Sequence, residues 1–507
     1  MPPAIFQDDP KTTRLERAIN YISPTWALQR NLRRQMLAYA TDYKAADITT
    51  LRADWISESA GGGQTPAGNE LAILRARSRD ATRNHPVAAG AIDTLAHNII
   101  GSGLKPQSRI PHKLLGITEE RAADLQIQAE AAFERFKPFA SSDDRLDFDD
   151  LQFLALLKTV EDGEIIALPT WAKDDWRPFG RCVELLESER LATPIGKGLE
   201  SKIRHGIKAG GRGQPQTYFI RKADSTTDYL EIPARDKNGR PKILHIFASR
   251  RPGQMRGVPY FAPVLTYFQD LASYLEAEIV AARVAACLSV FISKEQAFGP
   301  TGKESDTGFQ ELTPGLIARL GIGESINVVD PKRPGDSFAP FVESVLRLIG
   351  VALGLPYELL VKDFSKTNYS SARAALLEGR RVFKTWRGWM AKRFCQPIWQ
   401  LVIEEAYLRG EFDAPDFYDH YFEYTRAAWI GGGWGWVDPV KEVEASRKAI
   451  DYGLSTLAKE VAAQGDDWEE NLDQLARERD AIDKKKITIY HSGKDTEVKE
   501  DAQPQKE

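Results

Sequence analysis

The stretch VPYFAPVLTYFQDLASYLEAEIVAARVAACLSVFISK, residues 258–294, constrains this 507-residue chain more than any other. Apolar residues at Phe261, Leu265, Phe268, Leu271, Leu275, Ile279, Ala282, Ala286 and Val290 recur in steps of three and four, the spacing of one helical face. A continuous helix through them would run for about nine turns, or about 48 Å at 1.5 Å per residue. That exceeds an ordinary globular helix. The pattern therefore predicts a rod that buries its flanks against other rods in a bundle or ring. Alanines at 277, 281, 282, 285 and 286 permit close helix–helix approach. The rod is not expected to cross a membrane, because its most apolar part, IVAARVAACLSVFI, carries Arg283 and falls short of the roughly 20 residues a crossing needs.

Charge narrows the partners. Lys and Arg total 68 against 72 Asp and Glu, a net charge of −4, so the chain is not a basic coat held to nucleic acid over its whole surface. That leaves open a channel through which DNA passes. An apolar share of 42% and a charged share of 28% are those of a soluble globular protein, and the length predicts several domains. The N-terminal MPPAIFQDDP has no basic segment followed by an apolar run, so a cytoplasmic protein is expected. Cys182, Cys287 and Cys395 lie far apart with no CxxC, and read as buried thiols in a reducing compartment.

Residues 1–60 read as an arm with a polar helix around 25–45, followed by the flexible break GGGQTPAG (61–68). A helix is expected from Glu70 to just before Pro86. A second should run to Ile100, with Val87, Ala91, Leu95 and Ile99 on one face, and a third from Glu119 to Phe136. Between 145 and 250 the period changes to a mixed α/β region. GEIIALPTW, RCVELLE, TYFIRKA, DYLEIPA and KILHIFA read as strands, and Asn238-Gly239 reads as a hairpin turn. Beyond the rod, 297–340 is rich in Gly and Pro, with strand-like LIARL and SINVVD. A helix over 341–354 should stop at Gly354. The polar loop VKDFSKTN precedes Ser370, read as the N-cap of a helix running from Ser371 towards Leu408 and kinked at Pro397. Two charged helices, 438–462 and 467–482, precede a tail too poor in apolar residues to fold.

Catalytic motifs find little support. In GPTGKES (299–305), Glu304 replaces the hydroxyl residue that a P-loop needs on magnesium, and Ala297 stands where its first glycine belongs. GSGLKP (101–106) lacks the third glycine of a dinucleotide fingerprint and reads as a helix C-terminus. The seven histidines form neither HxH nor HExxH. Glu161, Asp162 and Glu164 form an acidic knot, read either as a turn leading into a strand or as a nuclease metal site. Arg75, Arg79 and Arg83 share a helical face, suited to phosphate contact, to pairing with a neighbouring subunit or to plain solvation. Lys362 and Lys366 flank Asp363-Phe364-Ser365 in the loop before the last long helix.

Four runs carry a family pattern: RSRDATRNHPVAAGAIDTLAHNIIGSGLKPQ (77–107), RPGQMRGVPYFAPVLTYFQDLASYLEAEIVAARVAAC (251–287), NYSSARAALLEGRR (368–381) and WGWVDPVKEVEA (434–445). In this order they resemble the portal proteins of tailed bacteriophages, lambda type. The resemblance implies an α+β chain that assembles into a ring of about twelve subunits at one capsid vertex. Its parts would be an N-terminal arm (1–69), a mixed α/β wing (70–257), a stem helix (258–294), a small α/β clip (295–338) and a second stem helix (339–356). A tunnel loop (357–369), a kinked long helix with the return to the wing (370–436), a helical crown (437–485) and a disordered tail (486–507) would follow. Lys362, Asp363, Ser365 and Lys366 would then face DNA in the tunnel, without sequence preference. The implied partners are double-stranded DNA, the terminase large subunit, a head–tail adaptor, and the major capsid and scaffold proteins. No catalytic residue, metal or cofactor is implied, ATP hydrolysis being left to terminase. The protein would be made in the host cytoplasm and reside in the virion. Two other readings stand beside it: a metal-dependent nucleic-acid-processing enzyme using Glu161, Asp162 and Glu164, and an assembly scaffold, free or membrane-associated, without DNA contact.

Overall fold

The structure, a computed structural model, describes residues 68–485 apart from 196, 198–202, 226, 287–289, 295–323 and 329–336. The arm helix at 25–45, the GPTGKES segment, LIARL, Cys287 and the tail beyond 485 lie outside the described residues. The other two cysteines, Cys182 and Cys395, are buried free thiols.

Helix α1 (Gly68–Asn84) stops because Pro86 holds His85 extended, at φ −106° and ψ 115°, and Pro86 then opens helix α2 (Pro86–Ile99). Helix α2 buries Ala88, Ala91, Ile92, Leu95 and Ile99, and strand β1 (Leu104–Ser108) follows. Helix α3 (Glu119–Phe136) is capped by Thr118, and α4 (Phe148–Asp162) by Asp147. The core of the body is mostly aliphatic, with a cluster of aromatic rings within it. The Phe133 ring lies 5.1 Å from Phe148, edge-on, and 5.2 Å from Trp399, while Phe148 stacks on Phe394 at 5.8 Å. The main core is closed by residues far apart in sequence, since β1 pairs antiparallel with β11 (Ala427–Gly431), Leu104 opposite Gly431 and Ser108 opposite Ala427.

All five expected strands form. Strand β2 (Glu164–Trp171) is central to a sheet with β3 (Arg181–Leu186) and β8 (Leu244–Phe247). A second antiparallel sheet runs β4 (Ile203–Arg204), β5 (Ile207–Ala209), β6 (Pro215–Arg221), β7 (Tyr229–Pro233). Ile166, Leu186, Leu191, Ile207, Tyr218, Ile220 and Ile243 form a smaller apolar cluster between these strands. Asn238-Gly239 does turn tightly, with Gly239 at φ 81°, and the turn is closed by an Arg235–Pro241 bridge. Its flanking strands do not pair with each other, however, because β8 leaves to join β2. The turn fixed a local reversal, and burial of Leu244 and Ile246 fixed the partner.

The rod is shorter than its sequence spacing predicts. Helix α5 spans Leu265–Ala286, about 33 Å at 1.5 Å per residue. Val290–Lys294 instead forms strand β9, antiparallel to β10 (Glu324–Val328), Val290 opposite Val328. The run Val290-Phe291-Ile292 combines β-branched and aromatic residues, whose preference for strand overrides the continuing helical period. Helix α6 (Phe338–Leu353) ends at Gly354, φ 66°, as expected, and lies beside α5, with Tyr274 stacked on Phe338 at 5.7 Å. Helix α7 (Tyr357–Val361) leads to the 362–368 loop and then α8 (Tyr369–Met390).

Asn368, not Ser370, caps α8, its Oδ1 accepting from Ser371 N at 2.9 Å. A π-helical turn, Ala391–Cys395, joins α8 to α9 (Gln396–Leu408). Pro397 has no N–H to continue the ladder, so the irregularity falls in the turn before it. The expected pair of C-terminal helices is three: α10 (Pro439–Asp451), α11 (Leu457–Gln464) and α12 (Trp468–Lys485). Gly453, at φ 69°, and the N-cap Thr456 divide the first of the expected pair.

Replacing Phe133 by Ala should destabilise the body by about 3–5 kcal/mol, as for other fully buried phenylalanines. The check is urea unfolding followed by tryptophan fluorescence; a loss below about 1 kcal/mol would contradict the core assignment.

Candidate functional site

Two charged regions stand out, one buried and one exposed. The buried one is built where α4 ends and β2 begins. Gly163, at φ 86°, turns the chain from Asp162 into Glu164, whose side chain is fully buried. Around that carboxylate converge α1, β8 and the 251–259 segment. Oε1 accepts from Arg75 Nη2 at 2.7 Å and Arg256 Nε at 2.7 Å; Oε2 meets His245 Nε2 at 3.0 Å and accepts from Gly257 N at 2.6 Å. Arg256 also donates to the Leu191, His205 and Ser188 carbonyls at 2.8–2.9 Å. Burial by itself would raise the Glu164 pKa, but Arg256, His245 and Arg75 outweigh it and hold the carboxyl below the ordinary range.

The rest of the acidic knot is neutralised beside it. Arg79 forks onto Asp162, Nε to Oδ1 and Nη2 to Oδ2, both at 2.7 Å. Glu161 pairs with Lys158 at 2.5 Å and accepts from the Thr82 hydroxyl. The three carboxylates thus form the turn into β2. Among the described residues no group of three or more His, Cys, Asp or Glu is placed to hold a metal ion.

Arg75 and Arg79, expected at phosphate or a neighbouring subunit, turn instead onto carboxylates of their own chain, and Arg75 is only 4% exposed. Arg83, one turn further along α1, is exposed. Sequence reading missed Arg256 and His245, which stand 92 and 81 residues from Glu164. The only signal was RPGQMRGVP itself. Its Gly257 is required sterically: a Cβ there would lie 2.0 Å from the Gly163 carbonyl oxygen, and one on Gly163 2.2 Å from the Val258 carbonyl carbon.

The exposed region is the loop between α7 and α8. Lys362 ends α7 in the left-handed conformation at φ 58°, unusual for a side chain with a Cβ. Asp363 Oδ1 accepts from Ser365 N at 2.9 Å, and the Ser365 hydroxyl and amide hold the Asp363 carboxyl below its ordinary pKa. Thr367 N donates to the Phe364 carbonyl at 3.2 Å, and Lys366 Nζ reaches Glu343 of α6 at 3.3 Å. The loop is thus a folded turn that presents Lys362, Phe364, Ser365 and Lys366 to solvent, anchored beneath by buried Leu360.

Residues 49–387 match the phage portal proteins of the lambda family, and the chain belongs to that family. The portal protein of Escherichia phage N15 is 27% identical over 445 residues, 80% of this chain and 83% of that one. Portal protein B of Escherichia phage lambda is 28% identical over 444 residues, covering 80% and 82%. The probable portal protein of Halomonas phage phiHAP-1 is 24% identical, covering 86% of each chain. Among solved structures, a chain from the neck of an empty gene transfer agent particle, computed with C6 symmetry, has a TM-score of 0.44 at 13% identity, covering 80% of this chain and 96% of that one. One from the native particle's neck, computed with C12 symmetry, has a TM-score of 0.40 at 15% identity, covering 73% and 96%.

Glu164→Gln should cost about 3–5 kcal/mol, because it leaves two buried guanidiniums without a counter-charge. Since the folded-state pKa of Glu164 is lowered, its contribution is complete above the ordinary glutamate value of 4.5 and is lost as pH falls below it. Unfolding measured from pH 7 to pH 3 should show that loss in the parent and a flatter profile in the variant. Equal slopes would refute the role given to Glu164.

Proposed function

We propose that copies of this chain form a ring, of twelve subunits, at one vertex of a phage capsid, and that double-stranded DNA is packaged and ejected through its bore. The observation that carries this reading is the unburied apolar surface of the paired helices. Helix α5 roots in the body through Phe268 and Leu271 yet exposes Ile279 and Val280. Helix α6 buries Leu346, Ile349 and Leu353 yet exposes Phe341, Leu348 and Val351, the last by 80%. Two adjacent helices, each apolar on a second face, are stable in water when copies of the same pair cover that face, and a closed ring covers it for every copy.

In this reading α5 and α6 are the stem, and β9–β10 belongs to the clip that meets the terminase large subunit and then the head–tail adaptor. The 362–368 loop is the tunnel loop, and α10–α12 form the crown. Capsid and scaffold proteins surround the ring. The protein is structural, made in the host cytoplasm and carried in the virion, and ATP hydrolysis belongs to terminase. Lys362, Asp363, Ser365 and Lys366 face the DNA, and the two lysines meet its phosphates. With few cations per copy and a net charge of −4, the grip is weak enough for DNA to slide.

Electron micrographs of the purified full chain should show end-on rings with a central hole. Monomers or dimers alone, across a range of salt, would refute the reading. Reversing both loop charges (Lys362→Glu with Lys366→Glu) should leave ring images unchanged and lower packaged DNA at least about tenfold, consistent with loss of phosphate contacts repeated around the ring. Normal packaging by the double variant would remove the tunnel-loop assignment while leaving the ring.

A further inference from the structure

We propose that the cleft between α8, the β1–β11 ladder and α11 is a second docking site for the phosphodiester backbone of DNA, separate from the 362–368 loop. The proposal rests on the portal reading above. The cleft encloses about 920 Å³ and is lined by five cations: Arg109 after β1, Arg380, Lys384 and Arg387 on α8, and Lys459 on α11. Two carboxylates also line it, but both are turned to other partners. Glu460 accepts from the Ser446 hydroxyl at 2.7 Å and from the Ser455 hydroxyl, and Glu442 faces Arg373 at 3.8 Å.

None of the five cations forms an ion pair among the described residues. Arg387 donates to the carbonyls of Ile99, Asn98 and Gly432 at 2.7–3.0 Å and lies 4.0 Å over the Trp434 ring. Burial lowers its pKa to about 10, which leaves it charged at neutral pH. Arg380 gives one N–H to the Gly435 carbonyl at 2.7 Å and Arg109 one to Gln107. The side chains of Lys384 and Lys459 make no hydrogen bond within the described residues. Elsewhere in the body, arginines with little exposure meet carboxylates, as Arg75, Arg79 and Arg240 do. A concave surface that gathers five cations, none with a carboxylate within 4 Å among the described residues and only Arg109 in the field of one, Glu469, is arranged for an anion from outside.

The row on α8 indicates which anion. Arg380, Lys384 and Arg387 share one helical face, and the first two are about 6 Å apart along the axis. That is close to the roughly 7 Å rise over two phosphate steps of one DNA strand. Trp436, 45% exposed at the rim, offers a flat apolar surface to the sugar edge. A regular cation row suits a regular polyanion better than an acidic peptide, whose carboxylates have no fixed spacing.

The test uses the assembled ring and a fluorescein-labelled 30-base-pair duplex, with anisotropy titrated between 50 and 300 mM salt. The double variant Arg380→Gln, Lys384→Gln should weaken binding at least about tenfold and reduce the slope of log affinity against log salt by about 1–2, near one per lost phosphate contact. Arg381→Gln, on a solvent face of α8 where Arg381 pairs, among the described residues, only with Glu378, removes one positive charge and should stay within about twofold. Should the double variant fail to assemble, Lys459→Gln gives the same test with a slope change of about 1. Unchanged affinity and slope in the cleft variants, or an equal loss with Arg381→Gln, would overturn the proposal and leave the ring and its tunnel loop standing. A parent protein that forms no ring would remove the portal reading, and this proposal with it.

Discussion

The fold turns on a single carboxylate that has no contact with water. Glu164 is fully buried, and an unpaired charge at such a depth would not be tolerated. It is stable there only because Arg75, Arg256, His245 and the Gly257 amide reach it at once from three separate segments. Correct assembly of α1, the α4–β2 corner, β8 and the 251–259 segment is therefore one event. Gly257 lies eight residues before Leu265, where α5 begins, and Tyr260 N donates to the Val160 carbonyl at 2.9 Å in between. The root of the long helix is thereby locked to the body within a few residues of the node. An apolar replacement could match its stability, but it would not fix direction, and direction is what a helix projecting from the body requires.

That node also explains why part of the site was legible in sequence and part was not. Local signals held where they were self-sufficient: Pro86 separated two helices, Gly354 stopped a third, and five short apolar runs became strands. They failed where two local preferences competed. The three-and-four spacing continues to Val290, yet Val290-Phe291-Ile292 is strand, because spacing alone does not report propensity. They were silent on long-range pairing. Arg75 and Arg79 share a helical face whether they meet phosphate or carboxylate, and only the partners' arrival from residues 162 and 164 decides it. The 362–368 loop was legible as a loop with two lysines. That Lys362 would be left-handed and Lys366 tied to Glu343 was not, since neither follows from composition.

The connection between the exposed loop and the core is mechanical. Helix α8 begins at the Asn368 cap beside the loop and runs into the π turn at Ala391–Cys395, whose Phe394 stacks on Phe148 in the aromatic core. A loop at the end of a helix held this way is positioned by the rigidity of the helix rather than by its own few contacts. The π turn sits where the ladder is weakest, just before Pro397.

The two treatments of positive charge in one chain follow from the same physics. A cation inside the body must have its donors satisfied, by backbone carbonyls as for Arg387 or by carboxylates as for Arg75, Arg79 and Arg256. Under the proposed function, a cation that meets moving DNA must stay unmatched, or the intramolecular partner would compete with every phosphate that passes. Lys362, Lys384 and Lys459 have no such partner among the described residues, and Lys366 has only a 3.3 Å contact with Glu343, in solvent, where such pairs are weak. A net charge near zero is then compatible with DNA contact. Under the proposed function the few unmatched cations act at short range, within the about 8 Å over which salt allows a charge to be felt.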